Sequence, residues 1–259
     1  FEFNAAEPSA ELKQKLTVHA EFQVDEASVI LISKENRGIV GQSGNHTRLR
    51  LPKGAAAYDS PFEFGHPRMH REVESERLMA NIHGTFYEVP FWVVGQAPLY
   101  TKMRPVCSHN KQISDFTTWN GLLVLAGLKP DAKASKHVYK SEDGQTALWF
   151  GGIDDLWSLG KPVGVGGPWK NTQVQAGVPS DPYLMTGYDQ KTLELTADRD
   201  CTITVEVDID HWTGFHPFKS FEVKAGETLT YEFPEGFAAH WVRVQADQDV
   251  NATAWFIYE

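Results

Sequence analysis

No apolar run in this sequence approaches the roughly 20 residues that carry a helix across a bilayer, so membrane insertion is not expected. Cysteine is scarce. Cys107 and Cys201 are the only two, too few and too far apart for a disulfide framework, and no Cys/His array has zinc spacing. They can pair, but two lone buried thiols is the favoured reading. There is no initiator Met and no basic-then-apolar leader, which reads as a mature or trimmed chain. Basic residues are rare in the last quarter. Residues 192–259 hold 4 Lys+Arg against 13 Asp+Glu, whereas residues 1–191 hold 20 against 21. Nucleic acid needs a cationic excess to displace its counterions, so it is not expected as a partner. A small anion held by a few arginines in a cleft remains open.

No long amphipathic helix is visible either. What is present is strand. LTVHAEFQV, SVILISKE and HTRLRLP come first, and FWVVG and GLLVLAG follow. HVYKSEDGQTALWFGG reads as a hairpin turning at Asp143-Gly144. The segment from Ile153 to Lys170 carries six Gly or Pro residues and reads as a structured loop. The tail is a run of six short strands, TLELTA, CTITVEVDI, FKSFEVKAG, ETLTYEFP, AHWVRVQAD and NATAWFIYE, with turn signals about every ten residues. The fold class is all-β. A boundary near Met185 divides a propeller-like region, 1–184, from a β-sandwich-like module, 185–259. Four-stranded blades repeat at roughly 40–50 residues. About 185 residues is short for the usual six to eight blades, so the chain reads as part of a longer protein.

One stretch concentrates chemistry: RMHREVESERLMANIHGTFYEVP, Arg68 to Pro90. Leu78, Ala80 and Ile82 share one strand parity. Arg77, Asn81, His83 and Tyr87 share the other, with Met79 as the exception. The first set is expected in a core and the second in a site. RPVCSHNKQISDFTTWNGLLVLAG repeats the logic with Arg104, His109, Asn110, Asp115 and Trp119. Imidazole and phenol can move a proton when their surroundings tune them. Arg71, Arg77 or Arg104 can neutralise a uronate carboxylate and so acidify the proton beside it, as β-elimination requires. Each of these is also a plausible framework residue.

Paired acids are the hydrolase alternative. One would come from Glu72, Glu74 or Glu76 and one from Asp115, Asp154 or Asp155, about 5–10 Å apart; a solvated Arg–Glu face is the plainer reading. Trp157 and Trp169 flank Lys161, as ring platforms for sugar faces around a cation or as loop anchors. Asp200, Asp208 and Asp210 can attract calcium but lack an EF-hand frame. No motif calls for a cofactor or a catalytic metal. Asn45 and Asn251 fit the glycosylation sequon, which matters only in a eukaryotic secretory pathway.

REVESERLMANIHGTFYEVP, RPVCSHNKQISDFTTWNGLLVLAG, LGKPVGVGGPWKNTQV and SDPYLMTGYD with FPEGFAAHWVRV resemble the later part of large secreted bacterial proteins. Those proteins are similar to sialidase-like β-propellers and are associated with polysaccharide breakdown. Ser141 to Thr146 is similar to their Asp-box turn but lacks the residue between Asp and Gly. The three-arginine carboxylate clamp of true sialidases is not identifiable. The resemblance implies a propeller, a polysaccharide or oligosaccharide partner and a secreted, periplasmic or cell-surface location in a bacterium.

Together these readings predict an extracellular polysaccharide lyase or glycoside hydrolase acting on an acidic or complex glycan. His83 would be its acid/base, with Tyr87 and His109 as partners. Arg71, Arg104 and Lys161 would grip anionic groups, and Trp119 and Trp169 would stack on sugar. The alternative is a glycan-binding or scaffold module without chemistry. Convergence of His83, His109 and an arginine on one pocket would separate the two.

Overall fold

The computed structural model describes residues 20–33, 47–60, 70–73, 77–90, 99–211 and 213–259. Its strands are β1 (Ala20–Val24), β2 (Val29–Ser33), β3 (Thr47–Leu51), β4 (His70–Val73), β5 (Arg77–Ile82), β6 (Thr85–Val89) and β7 (Arg104–Ser108). Next come β8 (Asp115–Trp119), β9 (Leu122–Leu128), β10 (Val138–Lys140), β11 (Ala147–Gly151), β12 (Gly164–Val174) and β13 (Tyr183–Leu184). The last six are β14 (Lys191–Ala197), β15 (Cys201–Asp208), β16 (His216–Val223), β17 (Leu229–Glu232), β18 (Trp241–Ala246) and β19 (Val250–Tyr258). No described helix is long and apolar enough to cross a membrane.

The tail strands form because their apolar residues alternate. In β14, Leu193, Leu195 and Ala197 turn inward while Glu194 and Thr196 turn out; β19 buries Val250, Ala252, Ala254, Phe256 and Tyr258 in the same way. That period of two matches the pleat. Two sheets result. One has seven strands in the order β1-β2-β3-β13-β18-β15-β16, and the other four in the order β12-β19-β14-β17. They share one core, in which Leu193, Ile203, Val205, Val244 and Phe256 are fully buried. The first three strands join it through a parallel contact of β3 with β13. Here Arg50 bonds Asp25 and Ser28, both at 2.8 Å, and Asp181 at 3.0 Å. The sandwich thus draws strands from both sides of Met185.

The remaining two sheets have four strands each, β4-β5-β6-β7 and β10-β11-β9-β8. Four is the strand count of a propeller blade, but among the described residues the sheets close no ring. Among the described residues only these two four-stranded sheets lie outside the sandwich, and the strands flanking them in sequence build it. The expected propeller is corrected to an all-β assembly of sheets whose strands pair antiparallel except at β3–β13.

The β5–β6 hairpin corrects a second expectation. Its turn, His83-Gly84, has φ of 48° and 84°, positive at both central residues as a two-residue type I′ turn demands. Leu78 then pairs with Val89 and Ala80 with Tyr87. Tyr87 therefore shares a face with Leu78, Ala80 and Ile82 and lies in the sandwich core. The opposite face carries Met79 and Phe86 into a second core with Cys107, Phe116, Leu125 and Trp149. Cys107 and Cys201 are both free and buried, one in each core.

Candidate functional site

Asn81 is the hub of a buried polar cluster at the β5–β6 turn. Its Nδ2 donates to the Tyr58 hydroxyl at 3.0 Å, and its Oδ1 accepts from His109 Nε2 at 3.1 Å. The Lys111 amide approaches His109 Nδ1 at 3.4 Å, so that nitrogen is the acceptor and the ring is neutral. Burial pushes the His109 imidazole down to about 4 and the Tyr58 phenol up to about 12. The Tyr58 ring lies 5.9 Å from His83 and 6.0 Å from His109. His83 Nε2 donates to Asp59 Oδ1 at 3.0 Å. Burial lowers the His83 pKa against the pull of that carboxylate. Its Nδ1 is buried with no hydrogen-bond partner among the described residues.

Among the described side chains the structure therefore brings His83 and His109 together, but not with Tyr87, Arg104, Lys161, Trp119 or Trp169. Tyr87 is fully buried on the far face of the hairpin, its hydroxyl 3.4 Å from that of Tyr188, and burial lifts its phenol to about 12. Arg104 starts β7 and lies 3.8 Å from Glu88. Lys161 lies 3.7 Å from Asp189 and borders a separate hollow of about 910 Å³. Arg71 is in register with Met79 on β4, and its side chain lies outside the described residues, as do Glu74 and Glu76. Trp169, expected to stack on sugar, is 5 % exposed in the sandwich core. It pairs with Ala254 of β19 between two irregularities in the register and packs into the core there, which corrects that expectation. Asp155 accepts the Gly152 amide at 2.8 Å at the start of the 3₁₀ turn Ile153–Leu159. Asp200 and Asp208 stand at opposite ends of β15, too far apart to share a calcium ion.

Trp119 is placed differently. It ends β8, and Leu122 begins β9 directly opposite, across an Asn120-Gly121 turn with φ of 48° and 77°. Thr117 pairs with Val124 and Val124 with Phe150, and on the next strand Tyr139 pairs with Leu148. These residues share the outer face of the sheet, while Phe116, Leu125 and Trp149 take the inner one. Phe150 meets Trp119 at 6.3 Å and Tyr139 at 5.3 Å, both edge-on. Trp119 is 61 % and Tyr139 62 % exposed.

Three rings in contact on an open sheet face leave apolar surface that water covers poorly. They border a hollow of about 540 Å³ with Leu122, Lys136 and His137, within the size range of small-ligand sites. His137 Nδ1 donates to the Phe150 carbonyl at 2.8 Å, and its ring stacks on Trp149 at 5.1 Å. Its Nε2 edge, the Lys136 ammonium and the Asp155 carboxylate supply polar groups around an aromatic floor. Of this set, Trp119 and, for other roles, Asp155 stand out in the sequence. Tyr139 and Phe150 were within reach, because they flank the predicted Asp143-Gly144 hairpin.

The chain matches no protein-family model, including any for the sialidase-like propeller proteins, and no curated protein sequence. Among solved structures it is similar to a point mutant of a family 29 carbohydrate-binding module, with 8% identity over 55% of this chain and 70% of that one, at a TM-score of 0.21. It is similar to a family 6 carbohydrate-binding module, with 11% identity over 52% of this chain and 92% of that one, at 0.23. A family 43 arabinoxylan arabinofuranohydrolase from Bacillus subtilis, in complex with cellotetraose, is 11% identical over 93% of this chain and 65% of that one, at 0.21. Likeness this distant assigns no residue.

Proposed function

We propose that this protein is a non-catalytic glycan-binding β module whose ligand lies on the face formed by Trp119, Phe150 and Tyr139. The observation that carries this reading is the exposure of two large aromatic rings in edge contact with a third, beside a polar-rimmed hollow. Axial C–H groups of a pyranose form an apolar patch that fits an aromatic face, and its hydroxyls need the hydrogen-bonding groups alongside. Affinity electrophoresis through polysaccharide-containing gels tests it. Retardation of the protein by a glycan, lost in Trp119→Ala and in Tyr139→Ala, is the expected result; equal retardation of all three proteins overturns it.

A lyase or glycoside hydrolase reading has one observation in its favour. The Asp59 carboxylate, 52 % exposed, holds the buried His83 imidazole. Against it, His109 stays neutral and enclosed, and Tyr87 faces another core. A digestion screen separates the two readings. New reducing ends or unsaturated uronates that vanish in His83→Ala support the enzyme; retention of a glycan without product supports the module.

A further inference from the structure

Resting on the glycan-binding reading, we infer that the ligand is an anionic polysaccharide whose carboxylate or sulfate groups are held by a rim of lysines on the β9–β10 connection. Lys129, Lys133 and Lys136 lie on this connection and Lys140 ends β10, against a single acid, Asp131, from 129 to 140. Lys136 borders the aromatic hollow. Lys129 and Lys133 border a second hollow of about 750 Å³, joined there by Lys111 and floored by Val138 and Trp149. One connection therefore borders both hollows, which open on opposite faces of the β8–β11 sheet, and places cations beside each.

The pairing of these lysines sets them apart. Arg48, Arg50, Arg104, Lys161, Arg199, Lys224 and Arg243 each lie against a carboxylate. Lys170 and Lys219 lie over aromatic rings. The five lysines of the rim are all exposed, and their ammonium groups meet no carboxylate among the described residues. The chain carries a net charge of −10, so acids were available to pair them. A cluster of like charges left uncompensated repels itself, and a bound polyanion relieves that repulsion while raising its own local concentration. The adjoining rings add what charge alone cannot, a preference for sugar over other polyanions.

The test titrates the full chain with polygalacturonate and its fully methyl-esterified form, and with a sulfated galactan and its desulfated form. Each pair keeps the sugar and removes the charge. The charged member is expected to bind about tenfold or more tightly, and to lose about tenfold between low salt and about 0.3 M. Which pair shows the preference distinguishes carboxylate from sulfate. The triple variant K129Q/K133Q/K136Q, unchanged in Tm, is expected to abolish the preference yet keep weak binding of the uncharged form. Equal affinity for both members, unaltered in the triple variant, overturns the lysine rim and leaves the aromatic face standing. No affinity for any glycan overturns the aromatic face and the rim with it. Polyglutamate bound as tightly as the glycans overturns the inference in favour of a general anion patch.

Discussion

His109 donates its Nε2 proton to Oδ1 of Asn81 at 3.1 Å, and Asn81 is 1 % exposed. That bond fixes the imidazole as a neutral framework donor. Asn81 thereby bonds both Tyr58 and His109.

Asn81→Ala leaves the buried His109 N–H without its acceptor and removes one partner of the half-buried Tyr58 phenol. The expected loss is about 1–3 kcal/mol in urea unfolding, with glycan affinity unchanged, since the aromatic face lies on another sheet.

Acid should weaken the fold through His109 and His240. Burial holds both imidazoles at about 4 in the folded chain, against the ordinary 6.5. Between those values the unfolded chain binds more protons, so stability rises with pH across the window and is lost on acidification. The slope approaches about 1.4 kcal/mol per pH unit for each histidine. Unfolding series from about pH 7 to pH 4 measure it, and His240→Gln should flatten it by one histidine's share.

Two turn glycines should respond unequally. Gly84 and Gly121 both sit at positive φ. A Cβ on Gly121 meets nothing within 4 Å, whereas one on Gly84 would stand 2.4 Å from the Ala55 Cβ and 3.0 Å from the His109 carbonyl. Gly121→Ala is expected to cost about 1–2 kcal/mol from backbone strain alone. Gly84→Ala should cost clearly more, because the loop through Ala55 must also move. Thermal unfolding of the two variants gives the order.

Tryptophans should separate folding from binding. Trp169→Ala empties a core position and is expected to cost about 3–5 kcal/mol. Trp119→Ala should stay within about 0.5 kcal/mol of the parent in stability and lose binding instead.

The six tail strands are legible in the sequence because alternation there meets one buried and one wet face. The Asp143-Gly144 hairpin is equally legible. Ser141 and Asp143 tie the turn together through Ser141 Oγ, which donates to Asp143 and accepts from the Thr146 amide at 3.0 Å. Tyr87 lies on the face opposite to the one its parity predicts, for a definite reason. A two-residue turn swaps strand parity, so the odd residues after Gly84 share a face with the even residues before His83. Both faces of that hairpin are buried, which alternation alone cannot distinguish from one buried and one functional face. The aromatic face was hidden by topology. β11 inserts between β9 and β10, so Trp119, Phe150 and Tyr139 meet only once three separate pairings are known.

The most direct test of the account is calorimetric titration of the protein and of Trp119→Ala, side by side, with oligosaccharides of whichever glycan retards the parent in gels. The account predicts saturable binding by the parent and at least about tenfold weaker binding, 1.4 kcal/mol, by a variant with an unchanged unfolding midpoint. Equal affinities for the two proteins would contradict it and move the ligand off the Trp119–Phe150–Tyr139 face.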